Sequence, residues 1–265
     1  MKTIFITGAS TGLGKATAQL FQQKGWKVIA TMRNPEAGSD LASLDHVTVL
    51  PLDVTQPEQI QSIVAQTLAS GVVDVVFNNA GYGLMGPLEA LSDEQIVRQM
   101  NTNLLGVIRV TQAFIPYFRE KKNGTFISTT SIGGLMAFPL NSIYHATKWA
   151  LEGWSESMAF ELNSFGVDIK TISPGGIKTD FVSRSLDTAT SPAYEEIVNS
   201  LYANMEGMLE NASTAEQIAE VVYEAATDGK KQLRYVAGED AKALYAQRLE
   251  IGAEAFREQL GKQFL

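Results

Sequence analysis

The chain has 265 residues, 45% of them hydrophobic, with no cysteine, two histidines and a formal net charge of −8. That size and apolar content suit one α/β domain with a large core, 1–265. Without cysteine there are no disulfides, thiolate zinc sites or cysteine nucleophiles, His46 and His145 cannot build a three-histidine zinc site, and the acidic balance argues against nucleic-acid binding.

In chain order, Lys2–Thr7 is a β-branched run ending at Gly8 and predicts a strand. Residues 12–24 carry Leu13, Ala16, Leu20 and Phe21 near one helical face. Trp26–Met32 and Val47–Leu52 are the next strands. Residues 57–69 open a helix with Pro57 at its first turn. Val72–Phe77 is a fourth strand. Residues 92–121 begin SDEQ, a capping box of Ser92 and Gln95. Thr125–Thr130 follows the Asn123-Gly124 turn as a fifth strand, 142–165 is a long helix, and Val167–Ser173 is a sixth strand. Residues 178–212 break this rhythm and predict a substrate lid. Residues 214–227 and 240–260 are expected to be helical, with a short strand near Leu233–Ala237. Strands apolar on both faces and alternating with helices imply a Rossmann-type doubly wound parallel sheet of about seven strands, helices on both faces. MKTIFITG shows no signal-peptide pattern, and no apolar run reaches the ~18–20 residues of a membrane span, so a cytoplasmic address is expected.

The stretch ITGASTGLGKAT, residues 6–17, admits several readings. Gly8–Gly12 fits the G-x-S-x-G serine elbow, but that chemistry needs an acid and then a histidine later in the chain, and only His145 falls late. A nucleotide P-loop ending at Gly14-Lys15 fails because Ala9 and Ala16 stand where glycine and Ser or Thr are needed. A dinucleotide turn fits the strand-to-helix context, with backbone N–H groups and the helix dipole facing an anion. A tight turn without ligand remains the plain alternative. Further clusters sharpen the choice. Asn78-Asn79-Ala80-Gly81, Ser131, and Pro174-Gly175 each follow a strand, at the end of an α/β sheet where ligands bind.

TGASTGLG, NNAG, YHATK and SPGG, in this order and spacing, resemble the short-chain dehydrogenase/reductase family over roughly residues 1–180. Residues 133–162 are similar to its 17β-hydroxysteroid and retinol dehydrogenase-like branch. The resemblance implies an oxidoreductase moving a hydride between nicotinamide and a carbonyl or alcohol carbon. It assigns Tyr144 as proton donor or acceptor, Ser131 as the substrate-orienting hydroxyl, Lys148 as a catalytic partner that also holds the nicotinamide ribose, and Asn103 to a water-linked proton path. For Asn103 a helix-kinking or capping role is the alternative. It places the cofactor against Gly8, Ser10, Thr11, Gly12, Leu13, Gly14, Asp53, Val54, Asn79, Ala80, Gly81, Pro174, Gly175, Ile177 and Thr179, besides Tyr144 and Lys148.

Tyr144 and Lys148 are four apart and share one helix face. A lysine charge ~5 Å away at an effective dielectric of ~20 favours tyrosinate by ~3 kcal/mol, about two pKa units. His145 lies about a hundred degrees around the helix and is expected to pack or form an interface. Met85, Leu135, Met136 and Phe138 are expected to line the substrate pocket, with ordinary core as the alternative. After the second strand the sequence has Arg33 and no acid, which predicts NADP(H), with NAD(H) the lesser alternative; a solvated surface charge is the other reading of Arg33. The expected partners are a small hydrophobic carbonyl or alcohol substrate and further copies of the chain, as homodimer or homotetramer. A non-catalytic dinucleotide-binding module on the same fold is the alternative function.

Overall fold

Seven parallel strands form the centre of the molecule: β1 (Thr3–Thr7), β2 (Lys27–Met32), β3 (Val47–Pro51), β4 (Val75–Asn78), β5 (Gly124–Thr129), β6 (Val167–Pro174) and β7 (Arg234–Ala237). Their order is β7-β6-β5-β4-β1-β2-β3. The computed structural model describes residues 1–178, 185–210 and 212–264. The order reverses between β1 and β4, and crossovers leave from opposite sides there, opening a crevice at the carboxyl ends of these strands.

Helices α1 (Gly12–Gln23), α2 (Pro57–Ser70), α3 (Asp93–Met100), α4 (Gly106–Lys121), α5 (Ser142–Leu162), α6 (Glu195–Glu210), α7 (Ala215–Thr227), α8 (Glu239–Ile251) and α9 (Ala253–Phe264) surround the sheet. The period-2 geometry of β1 sorts its side chains between two cores. Ile4 and Ile6 join Leu13 and Phe21 of α1 and Ile218 and Val222 of α7. Phe5 points to the opposite face, among Ile60 of α2, Phe114 of α4 and Leu162 of α5. Phe5 and Phe114 meet edge to face with centroids 5.0 Å apart, a contact worth about 0.5–1.5 kcal/mol beyond area burial. A third apolar cluster sits near the carboxyl ends of the strands, where Met85, Ile132, Met136, Leu201, Phe256 and Phe264 meet.

Three expected elements differ in detail. The helix expected over 92–121 is interrupted by a π-helical turn at Asn101–Leu105, so it reads as α3 and α4. The capping box of Ser92 and Gln95 is present at its start. The helix expected over 240–260 divides at Gly252, whose φ of 85° suits glycine and no ordinary helical residue. The expected fourth strand begins three residues late, because Val72 is exposed and pairing starts at Val75. In the segment around 178–212, Leu186–Thr188 pairs in parallel with Gly83–Met85, and Ser213–Thr214 just beyond pairs with Ile177–Lys178. Among the described residues no helix is long and apolar enough to cross a membrane.

One buried charge ties the β6–β7 edge to α7. Lys170, 2% exposed, donates from Nζ to the Ala225 carbonyl at 2.7 Å and Asp228 Oδ1 at 2.8 Å. Burial alone would raise the Asp228 pKa, but hydrogen bonds from Lys170, the Lys230 backbone and the Tyr235 hydroxyl hold it down at about 2. A carboxyl lowered in this way stabilises the fold above the ordinary aspartate range, and that contribution is lost as pH falls towards 2. Lys170→Met removes the buried cation of Asp228, leaving only the exposed Lys230 at 3.7 Å, and is expected to cost about 3 kcal/mol at neutral pH. Urea unfolding from neutral to acid pH checks this: the gap between the two proteins should shrink below about pH 4.

Candidate active site

At the switch point β1 delivers the chain into Gly8, with φ 69°, and α1 begins at Gly12, with φ 53°. Two of the glycines are required by contact as well as by angle. A Cβ on Gly8 would lie 2.8 Å from Ala80 Cα, and one on Gly14 would lie 2.2 Å from the Gly8 carbonyl oxygen and 2.5 Å from Asn79 Nδ2. Asn79 locks the same joint: its Nδ2 donates to the Gly8 carbonyl at 3.1 Å and the Thr7 carbonyl at 3.3 Å. The Thr7 hydroxyl accepts from the backbone N–H groups of Asn79 and Ala80. Thus the glycine loop and the Asn79-Ala80-Gly81 turn form one unit.

No side chain caps the N-terminus of α1, Thr11 included, and no acid lies in its first turn. Ser10 and Thr11 stand at its entrance, and Leu13 is buried beneath it. Lys15 turns away to an ion pair with Asp40 at 2.6 Å. A cradle that a Cβ would fill and a helix start without acid together suit a dinucleotide pyrophosphate. Arg33 follows β2, is exposed and makes no hydrogen bond or ion pair among the described residues. Asp53 follows β3, where its Oδ1 accepts from the Thr55 N–H and hydroxyl. Val54 is buried against Gly106, whose Cβ would lie 2.9 Å from Val54 Cγ2.

Ser131 leaves the end of β5, its Oγ accepting from the Gly133 N–H at 3.0 Å. Tyr144 and Lys148 project from the first turns of α5, and Tyr144 hydrogen-bonds Ser131. Lys148, 6% exposed, sits 5.7 Å from the Tyr144 ring centre and donates to the Thr129 carbonyl at 2.9 Å. The electrostatics differ from the expected lowering of the tyrosine. Burial raises the Tyr144 pKa above its usual value and outweighs the opposing hydrogen bond with Ser131. Burial also lowers Lys148 to about 8, against the pull of Glu152. Coulomb attraction at a fixed dielectric omits the desolvation that both groups suffer.

Asn103 lies 1% exposed within the π-helical turn. Its Oδ1 accepts from the Tyr82 N–H at 3.0 Å and its Nδ2 donates to the Tyr82 carbonyl at 2.8 Å. The side chain therefore holds the Gly81-Tyr82 turn beside the site. Pro174 ends β6, Gly175 donates its N–H to the Ala237 carbonyl at 3.1 Å, and Gly176 donates to Asp240 Oδ2 at 2.8 Å. Ile177 begins the short strand beyond them. Thr179 lies outside the described residues.

Two features were not anticipated from sequence. Glu152, 4% exposed and four residues after Lys148, accepts from Thr130 at 2.6 Å, Ser173 at 2.9 Å and Arg234 at 2.8 Å. It pins the ends of β5 and β6 directly behind Ser131 and Pro174. A lone acid on the otherwise buried face of α5 was the available signal. The second is His145, which borders a cavity of about 220 Å³ together with Ser131, Tyr144, Phe138, Leu186 and Phe264. Met85 and Phe138 line that cavity as expected, whereas Leu135 and Met136 pack in the apolar cluster behind it.

The model of the family described as short chain dehydrogenase matches residues 2–190. The chain belongs to the short-chain dehydrogenase/reductase family of oxidoreductases. Relatives include an uncharacterized oxidoreductase of Schizosaccharomyces pombe, 37% identical over 87% of this chain and all of that one. Human 17-beta-hydroxysteroid dehydrogenase type 1 is 32% identical over 95% of this chain and 80% of its own length. Among solved structures, a short-chain dehydrogenase from Streptomyces avermitilis superposes with a TM-score of 0.86 at 32% identity, covering 98% of this chain and 95% of that one. An alcohol dehydrogenase from the archaeon Thermococcus sibiricus, complexed with 5-hydroxy-NADP, gives 0.75 at 26% identity over 90% of this chain and 96% of that one.

Gly14→Ala tests the joint between the loop and Asn79. The added methyl meets backbone on one side and a bonded amide on the other, so relief requires the loop to move. A loss of about 1–3 kcal/mol is expected from overpacking, read as a lower urea midpoint with unchanged slope.

Proposed function

We propose that the chain is an NADP(H)-dependent carbonyl reductase or alcohol dehydrogenase, transferring a hydride between nicotinamide and the carbonyl or alcohol carbon of an apolar ketone or secondary alcohol. The observation that carries this reading is that Ser131 and Tyr144 meet at one largely apolar cavity, with Lys148 packed behind the Tyr144 ring. Gly8, Ser10, Thr11, Gly12, Leu13 and Gly14 receive the pyrophosphate at the start of α1. Asp53 and Val54 flank the adenine. Asn79, Ala80 and Gly81 would hold the ribose side of the cofactor, and Pro174, Gly175 and Ile177 its nicotinamide end, to which the family resemblance also assigns Thr179. Arg33, exposed and without a hydrogen bond or ion pair among the described residues, is the group for a 2′-phosphate.

When bound, the cofactor supplies or accepts the hydride. The Ser131 and Tyr144 hydroxyls donate to the substrate oxygen and stabilise the charge that develops there. In reduction Tyr144 gives its proton to that oxygen; in oxidation the tyrosinate takes it back. Burial raises the Tyr144 pKa, so the hydroxyl holds the proton that reduction requires. Lys148 orients the ribose and returns the proton, with Asn103 holding the neighbouring turn for a water path. The proposed lid is the segment 178–212, of whose described residues Leu186 and Leu201 line the cavity. Exposed Trp149 and Phe160 on α5 and Val97 on α3 support assembly into a homodimer or homotetramer through these helices.

The test is nicotinamide absorbance with a panel of hydrophobic ketones, NADPH and NADH being run in parallel. Ketone-dependent NADPH consumption is the expected result. NADPH binding without consumption across the panel would favour the non-catalytic module. Tyr144→Phe is expected to keep NADPH affinity and lose about 10²–10⁴-fold in kcat, the range of general acid catalysis. Arg33→Ala should raise KM for NADPH about tenfold or more while leaving NADH nearly unchanged, since a charge-assisted contact is worth about 1.5–3 kcal/mol. Equal losses with both cofactors would remove Arg33 as the selector.

A further inference from the structure

His145 is 7% exposed, yet its imidazole makes no hydrogen bond among the described residues. Its contacts are ring contacts only, to Phe138 with centroids 6.0 Å apart and to Tyr144 at 5.9 Å. A buried polar group without a partner is costly, and this one borders the same cavity as Ser131 and Tyr144. Both ring nitrogens are also absent from the sealed, unbonded polar atoms, as expected if they face the open volume.

The wall is cut to admit the ring. A Cβ on Gly133 would lie 2.8 Å from His145 Cδ2 and 3.0 Å from Nε2, so any larger residue there would displace it. That same point is 3.4 Å from Ser131 Oγ, which puts the imidazole edge and the Ser131 hydroxyl on one patch of wall. Burial holds the ring neutral, with its pKa down at about 4. A neutral imidazole offers one donor and one acceptor. Met85, Phe138, Leu186 and Phe264 make the nearby wall largely apolar; its other polar side chains are Asn141, which donates to the Pro139 carbonyl, and Asp240, which accepts from the Gly176 N–H.

The geometry points to His145 as a specificity-determining residue that hydrogen-bonds a second polar group of the substrate, a hydroxyl or carbonyl on the carbon next to the reacting carbonyl or one carbon further. The inference rests on the proposed reduction of a ketone at Ser131 and Tyr144, and it narrows the substrate class from plain apolar ketones to oxygenated ones. A substrate whose reacting oxygen lies at Ser131 and Tyr144 brings its neighbouring carbons past the imidazole edge. A hydroxyl there satisfies an otherwise partnerless group, whereas a methylene leaves it unbonded. Sites that hydrogen-bond a substrate hydroxyl discriminate strongly against the analogue lacking it.

The experiment compares 2-decanone with 1-hydroxy-2-decanone and 4-hydroxy-2-decanone in two measurements. In the first, kcat/KM with NADPH is expected to be at least tenfold higher for one hydroxyketone than for 2-decanone. His145→Phe, which keeps an aromatic ring against Phe138, should abolish that preference, bringing the ratio of the kcat/KM values for hydroxyketone and 2-decanone to about one. His145→Gln should retain part of the preference by supplying an amide donor and acceptor. In the second, imidazole ¹⁵N signals are followed without turnover, with His46→Gln assigning the two histidines. The hydroxyketone should shift the His145 signals and 2-decanone should not. Equal preference in wild type and His145→Phe, or equal imidazole shifts from all three ketones, overturns the assignment. If no ketone is consumed, the proposed reaction fails, and the imidazole shifts decide the role of His145 independently.

Discussion

The site depends on a place where two pieces of backbone touch with no side chain between them. Gly8, Gly14 and the Asn79-Ala80 turn approach closely enough that a single methyl on either glycine would meet main-chain atoms. This contact lies at the reversal of strand order, where β1 and β4 are neighbours but their outgoing chains part. Asn79 converts proximity into fixed geometry, because one amide bonds the carbonyls of both Thr7 and Gly8. The helix start, the turn after β4 and, through Asn103 and Tyr82, the π-helical turn are all referenced to this joint.

Behind the reacting groups the protein buries charge in pairs. Glu152 accepts from the hydroxyls of Thr130, Thr171 and Ser173 and from the Arg234 guanidinium, so both oxygens of its buried carboxylate are bonded. The same group lies one helical turn from Lys148 and favours its ammonium against the burial that disfavours it. Tyr144 has no such support; its burial is opposed only by Ser131, and it holds its proton more tightly than a free phenol. The two halves of the catalytic helix turn therefore sit in opposed fields, one kept able to lose a proton and the other kept from losing it.

The doubly wound parallel sheet was legible because buried parallel strands have an unbroken apolar signature, and Gly8, Gly81 and Gly175 punctuate their ends. The convergence of Ser131, Tyr144 and Lys148 was legible because helix spacing is rigid. Other features rest on information that periodicity does not carry. The π-helical turn at Asn101–Leu105 changes a hydrogen-bond pattern inside an amphipathic stretch, so its apolar stripe barely alters. The strand Leu186–Thr188 is three residues long, too short to alternate visibly, and its partner Gly83–Met85 is a hundred residues away. Angular position on a helix placed His145 away from Tyr144, but the cavity bends around α5 because Gly133 leaves room. The tyrosine pKa went in the opposite direction because pair attraction was weighed and loss of hydration was not.

The walls of the cavity and the glycine-loop crevice come from different parts of the chain. The crevice is built from the ends of β1 to β4, all before residue 82, whereas His145, Leu186, Leu201, Leu244 and Phe264 reach the cavity from the later half. Between them stands the turn at Lys122, a positive-φ residue at the exposed end of α4. A recombination break at that turn would exchange most of the cavity wall, Gly83 and Met85 staying behind, while leaving the glycine loop intact, subject to the new β5 fitting against the old β4 and the new α7 against the old α1. The fold thus permits its two recognition surfaces to vary at separate rates, with Gly133 and Gly134 travelling together with the side chains they make room for.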